Sequence, residues 1–212
     1  MGRATITKEQ IAELDTVTFP GKIHVVDTTS KARDALAYLN KLKIVGFDTE
    51  TRPSFHRGAS YKVALIQISS TDECFLFRVN KLGMTDALKA FLENEKITKI
   101  GLSLKDDFGM IHRVSDTQPH GFIELQTLAP KFGISDASLQ KIYAIIFGKK
   151  ISKSQRLTNW EADELTPAQQ VYAAIDAWAC LEIYTRLTTA GFDPTKSKYY
   201  VDDAPQDETD KA

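Results

Sequence analysis

The stretch Ile44-Val45-Gly46-Phe47-Asp48-Thr49-Glu50 constrains this chain more than any other. It reads as a short apolar strand that ends by pushing out two carboxylates one residue apart. Successive strand side chains point to opposite faces, so Asp48 and Glu50 share one face while Phe47 and Thr49 take the other. Two acids at that spacing repel each other unless something positive sits between them. They can equally cap the following turn or face water, so the pair by itself defines no site. The rest of the chain has to supply the partners.

With 212 residues and no Gly/Pro/Ser-rich linker, the chain is long enough for one domain with a sizeable core. The expected division is an N-terminal arm over 1–21, a main unit over 22–191 and a polar, Asp-rich, disordered tail over 192–212. Hydrophobic residues at 42% and charged residues at 26% are ordinary for a soluble globular protein. No apolar run approaches the roughly 18 residues needed to span a membrane, so no membrane partner is expected. The start, Met1 to Thr5, lacks the apolar core of a secretory signal. Cys74 and Cys180 are too few and too far apart for a disulfide framework or a zinc knuckle, which leads us to expect a reducing, cytoplasmic setting. A formal net charge of −1 argues against gripping nucleic acid by a general basic surface but leaves room for a local basic groove.

Along the chain, Thr7 to Gln10 fits a capping box opening a short helix, and Ile23 to Val26 reads as a strand. A helix carrying Ala32, Ala35, Leu36 and Leu39 then feeds the Asp48 strand. After a loop containing Arg52 and Arg57, Val63 to Ile68 and Cys74 to Val79 read as two strands joined by a polar turn. Residues 84–93, 104–114, 123–132 and 137–147 have helical character, with Lys99 to Leu102 a short strand among them. Acids open the 104–114 helix, Asp106 and Asp107, where the helix dipole alone would favour them. Four cations fall between Gly148 and Arg156; such a run is usually solvated, though it can also meet a phosphate backbone. Thr166-Pro167 opens the longest helix, which Gly191 ends. Within it Tyr172 and Asp176 lie one turn apart on the same face. Ala173, Ala174, Ile175, Ala177 and Trp178 surround Asp176 with apolar residues, and a carboxylate in such surroundings wants a cation.

Three ordered motifs now stand out: Phe47-Asp48-Thr49-Glu50, Gly101 to Met110, and Tyr172-Ala173-Ala174-Ile175-Asp176-Ala177. In this order and spacing the chain resembles the DEDD-type 3′–5′ exonucleases of the ribonuclease D and Werner syndrome exonuclease group, over about residues 22–190. Lys153, Asn159, Trp160, Leu165 and Gln169 fit the same pattern. The tyrosine four residues before the last Asp is similar to the tyrosine branch; the histidine branch would carry its His where Val171 stands. The resemblance implies an α/β, ribonuclease H-like fold, a mixed central sheet flanked by helices, with carboxylates gathered at one edge. It implies that Asp48, Glu50, Asp106 and Asp176 hold two divalent cations, with Asp107 as the alternative to Asp106, and that Tyr172 orients the attacking water. Hard oxygen ligands without a His or Cys cluster select Mg²⁺ or Mn²⁺ over zinc. The partner implied is a nucleic acid with a 3′ end, DNA or RNA, held by Thr49, Arg52, Arg57, Lys62, Phe108 and Lys153. Glu124 stands where many relatives carry Asp, a departure that touches support and not the metal set. Thr51 replaces a bulky aromatic, so stacking on the terminal base is expected to be weaker here or left to Phe108. The competing reading is a non-catalytic nucleic-acid-binding module on the same fold, and the intact acids count against it.

Overall fold

The computed structural model describes residues 2–53, 62–189 and 191–202. Its centre is a six-stranded sheet. In chain order the strands are β2 (Lys22–Val26), β3 (Ile44–Thr51), β4 (Val63–Ser69), β5 (Glu73–Phe77), β6 (Thr98–Gly101) and β7 (Phe122–Glu124), arranged in space as β2-β5-β4-β3-β6-β7. Only β4 runs against the others: it is antiparallel to β3 and β5, whereas β2–β5, β3–β6 and β6–β7 are parallel. The acid-bearing strand is therefore central and paired on both sides. This is the mixed sheet flanked by helices that the resemblance implies.

One face of the sheet is covered by α2 (Thr29–Leu39), α4 (Asp86–Glu93) and α5 (Leu104–Ile111), whose apolar stripes meet Val45, Phe47, Ile66 and Ile68. Thr28 and Thr85 cap α2 and α4 with their side chains. The other face carries α8 (Pro167–Thr188), backed by α7 (Leu139–Phe147). A capping box between Thr166 and Gln169 starts α8, and every residue from Ala173 to Leu181 is buried. A helix apolar all round is what a position between a sheet and a second helix requires. Gly46 makes the closest approach possible: a Cβ built there would lie 1.9 Å from the Ala177 carbonyl oxygen. The missing side chain on β3 thus lets α8 settle against the strand that carries Asp48 and Glu50. Short helices α3 (Val79–Leu82) and α6 (Leu125–Leu128) connect neighbouring elements, and a single 3₁₀ turn, Ala129–Phe132, follows α6.

The arm is no loose extension. β1 (Arg3–Ala4) and α1 (Lys8–Ala12), with the expected Thr7–Gln10 capping box, place Ala4, Ile6, Ile11 and Val17 in the core beside α7 and α8. Burying Ile6, Ile11 and Val17 contributes on the order of 5 kcal/mol of gross transfer free energy.

Two expectations are corrected. Residues 122–124 form the edge strand β7 rather than the start of a helix, because parallel pairing with β6 satisfies their backbone groups. The segment 192–202, expected to be disordered, folds: Tyr199 is buried, Pro194–Lys196 makes a 3₁₀ turn, and β8 (Tyr200–Val201) pairs antiparallel with β1. Residues 203–212 lie outside the described residues. Among the described residues, no helix is long and apolar enough to cross a membrane.

Candidate active site

The two acids of β3 and the acid of α8 converge. Asp48, Glu50 and Asp176 each offer a carboxylate oxygen, and these oxygens lie within 4.8 Å of one another. Strand alternation puts the first two on the α8 face, and the Gly46 contact brings the third down onto them. Asp107 joins from α5: the Thr49 hydroxyl donates to its Oδ1 at 2.5 Å, and its charge acts on both Asp48 and Glu50.

The electrostatics are those of acids crowded together out of water. Burial first, then the charges of Asp107, Asp176 and Glu50, hold Asp48 well above the usual carboxylate range. Glu50 is raised by burial, Asp176 and Asp107, with Arg156 pulling it back. Burial pushes Asp107 up to about 7 against the hydrogen bond from Thr49. Asp176 also rises to about 7 by burial, opposed by a hydrogen bond from Tyr172 and by the charge of Lys153. Burial first, and then Asp176, raise the Tyr172 phenol, so it stays protonated and donates. Such a cluster favours either protons or a compact cation. An all-oxygen donor set with no His or Cys fits a hard divalent ion of the Mg²⁺ or Mn²⁺ kind.

Beside Asp176 opens a cavity of about 430 Å³, with Tyr172, Asp176, Lys153, Arg156, Ser138 and Gln140 among its walls. The rear of Tyr172 is fixed by Trp160, whose fully buried ring lies 5.9 Å away. The loop holding Trp160 is pinned in turn by buried Arg78, which donates to the Ala162 and Asp163 carbonyls.

Of Asp106 and its alternative Asp107, it is Asp107 that the structure places beside the other acids. Asp106 is exposed, whereas Asp107 is buried on the inward face of α5. The signal was present in the helical spacing: Asp107 stands three residues after buried Leu104 and four before buried Ile111, the spacing of one face. Glu124 supports α5 as expected. Its carboxylate accepts from the Ser103 and Leu104 amides at 3.1 and 2.8 Å, capping a helix whose own N-cap residue, Ser103, sits at φ 64° and makes no side-chain cap.

The residues expected to touch substrate scatter more widely. Lys153 lines the cavity and faces Asp176. Thr49 instead serves Asp107. Phe108 packs edge-on against Phe122 at 4.9 Å. Arg52 pairs with Glu161 at 3.7 Å. Lys62 lines a different cavity with Asn80, Met84 and Glu161, none of them an acid of the cluster. Arg57 lies outside the described residues. Two further residues lie near the site, Arg156 named from the sequence only as the end of the basic run and Gln67 not singled out at all. Arg156 faces Glu50. Gln67 is fully buried opposite Asp48 in the ladder, with neither amide atom partnered among the described residues. One polar residue within Val63–Ile68 was its sole mark in the sequence.

Comparison with known proteins gives the family and the fold. The chain is 33% identical over 183 residues to the bifunctional 3′–5′ exonuclease/ATP-dependent helicase WRN of Mus musculus, covering 82% of this chain and 13% of that protein. It is 33% identical over 164 residues to ribonuclease D of Escherichia coli, covering 73% of this chain and 42% of that protein. It therefore spans less than half the length of these relatives. Among solved structures, the EXO domain of Aedes aegypti Nibbler superposes with a TM-score of 0.71 at 24% identity, over 85% of this chain and 96% of that one. Escherichia coli RNase D does so with a TM-score of 0.71 at 24% identity, over 78% and 44%. These neighbours share the ribonuclease H-like fold. A family model described as a 3′–5′ exonuclease matches residues 23–191, from the first strand of the central sheet through the helix that carries Tyr172 and Asp176, and the chain belongs to that family.

Proposed function

We propose that this chain hydrolyses phosphodiester bonds at the 3′ end of a nucleic acid and releases nucleoside monophosphates. The observation that carries the reading is the convergence of Asp48, Glu50 and Asp176 within 4.8 Å beside a cavity walled by Tyr172, Lys153 and Arg156. Membership of the 3′–5′ exonuclease family supports it.

Asp48, Glu50, Asp107 and Asp176 would hold two divalent cations, with Asp48, set among the other three, serving both. When bound, those ions stabilise the charge that develops on the phosphodiester and lower the pKa of the attacking water. Tyr172 orients that water by a hydrogen bond; its raised pKa leaves it no role as a base. Lys153 and Arg156 meet the phosphates of the bound strand, which places positive charge opposite the acids.

The test is incubation of the purified protein with 3′- and 5′-labelled DNA and RNA in Mg²⁺, Mn²⁺ or chelator. A 3′ label should leave at once as mononucleotide, a 5′-labelled strand should shorten stepwise, and chelator should stop both. Early appearance of long internal fragments would overturn the reading in favour of an endonuclease.

A further inference from the structure

The cavity beside Asp176 has two walls that are separate in the chain. One is formed by Ala137 to Gln140, at the start of α7, and the other by Ile151 to Lys153 with Arg156, in the connector that follows it. The N-terminal arm, all of it outside the family-matched segment 23–191, is fastened next to both walls.

At the first, the Ala4 amide donates to Gly133 O at 2.8 Å, and the Ser135 amide to Ala4 O at 3.1 Å. The Thr5 hydroxyl and Ile6 amide both donate to Asp136 Oδ2 at 3.0 Å. At the second, Thr16 and Lys150 form a parallel bridge, with Val17 N donating to Lys150 O and Lys150 N to Asp15 O, each at 2.9 Å. The Lys150 ammonium adds a bond to the Ala12 carbonyl, at the end of α1, where a cation is favoured. Buried Val17 and Ile151 lie in one core cluster with α7 and α8. Lys150 is thus occupied by the arm, three residues before Lys153.

We propose that the arm is a positioning element of the substrate groove: by clasping residues 133–136 and Lys150 it fixes the spacing of the two walls and presents Lys153 and Arg156 to the bound strand. The proposal rests on the reading that these two cations meet nucleic acid. It assigns the arm to substrate affinity and not to metal binding, since the contacts that clasp the two walls go to residues 133–136 and Lys150 and not to Asp48, Glu50, Asp107 or Asp176.

The test uses the full chain carrying Lys150→Met, which keeps the stem and loses the bond to Ala12, and Val17→Pro, which loses one backbone donor and part of a buried side chain but no charge. Binding of a labelled oligonucleotide is read by anisotropy in Ca²⁺, and KM and kcat are read in Mg²⁺. Each variant should raise Kd and KM by about two- to tenfold, the range that a lost hydrogen bond gives. Both kcat and Mn²⁺ affinity should stay at wild type. On a Lys153→Ala, Arg156→Ala background the same substitutions should add little, because the cations they position are gone. Additive losses on that background, or an unchanged Kd in both folded single variants, would overturn the proposal. If the protein binds oligonucleotide but cleaves none, the hydrolytic reading fails while the anisotropy cycle still decides the role of the arm. Absence of any binding sinks both.

Discussion

Asp106 and Asp107 are adjacent and chemically identical, yet one helical step of about 100° sends one into solvent and the other against Thr49 and the acids of β3. If Asp107 belongs to the metal set, Asp107→Asn should cut turnover by orders of magnitude and weaken Mn²⁺ binding, while Asp106→Asn leaves both near wild type. Paired assays and calorimetric titrations check this, and the reverse order would return the role to Asp106. Tyr172 poses a different question, because its ring packs on Trp160 while its hydroxyl donates to Asp176. Tyr172→Phe keeps the packing and removes one oriented donor. Single-turnover rates should fall roughly a hundredfold, the scale for loss of one transition-state contact, at unchanged Mn²⁺ affinity. A rate within about twofold of wild type would reduce Tyr172 to a packing residue.

At the scale of elements, the site is a junction of β3 and α8, and Gly46 sets how close they come. A Cβ at 46 would collide with the Ala177 carbonyl, which is backbone and cannot swing aside. Gly46→Ala should therefore push α8 off the strand, costing about 1–3 kcal/mol as overpacking does. It should also weaken Mn²⁺ binding by moving Asp176 relative to Asp48 and Glu50. Urea unfolding together with Mn²⁺ titration measures both; wild-type values in both would show that the contact relaxes without cost. The segment containing Trp160 follows the same logic. It lacks regular structure, yet Arg78 fastens it to the sheet side and Gln169 to the cap of α8, the latter donating to Thr158 Oγ1 at 3.0 Å and Asn159 O at 3.2 Å.

For the whole molecule, the crowded acids couple stability to pH and to cations. Asp107 and Asp176 have folded pKa values of about 7, against roughly 3.9 for an unfolded Asp, so between these values the native state holds more protons than the unfolded one. Stability of the metal-free protein should thus fall as pH rises from about 4 toward 7, as native carboxylates lose protons they favour. The loss is complete above the folded pKa. Buried Lys99, lowered to about 8, acts in the opposite direction only above that pH and leaves the window clear. Melting in chelator should give a lower Tm at pH 7.5 than at pH 5.5. Millimolar Mn²⁺ should raise Tm at pH 7.5 far more than at pH 5.5, where protons compete for the ligands. A chelator-independent melting curve at both pH values would contradict a metal site built from these acids.

Much of this was written locally. The alternation that pairs Asp48 with Glu50, the i, i+4 spacing of Tyr172 and Asp176, the Thr7 capping box, the Thr166-Pro167 start of α8 and the apolar stripe of α2 depend on residues within a few positions of each other, and all appear where the chain predicts them. That Asp107 and not Asp106 faces inward was legible too, in the spacing from Leu104 to Ile111, once burial and not the acids themselves was used to orient the helix. Other features had no local cause. β7 is a strand because β6 offers it a parallel edge, and Tyr200–Val201 is ordered because Arg3–Ala4, at the other end of the chain, pairs with it. The charge of Arg156 acts on Glu50 because a connector without regular structure is held between α7, α8 and the arm. Sequence periodicity determined which residues share a face. Which faces meet was decided by long-range backbone pairing and by the close approach at Gly46, neither of which leaves a periodic trace in the chain.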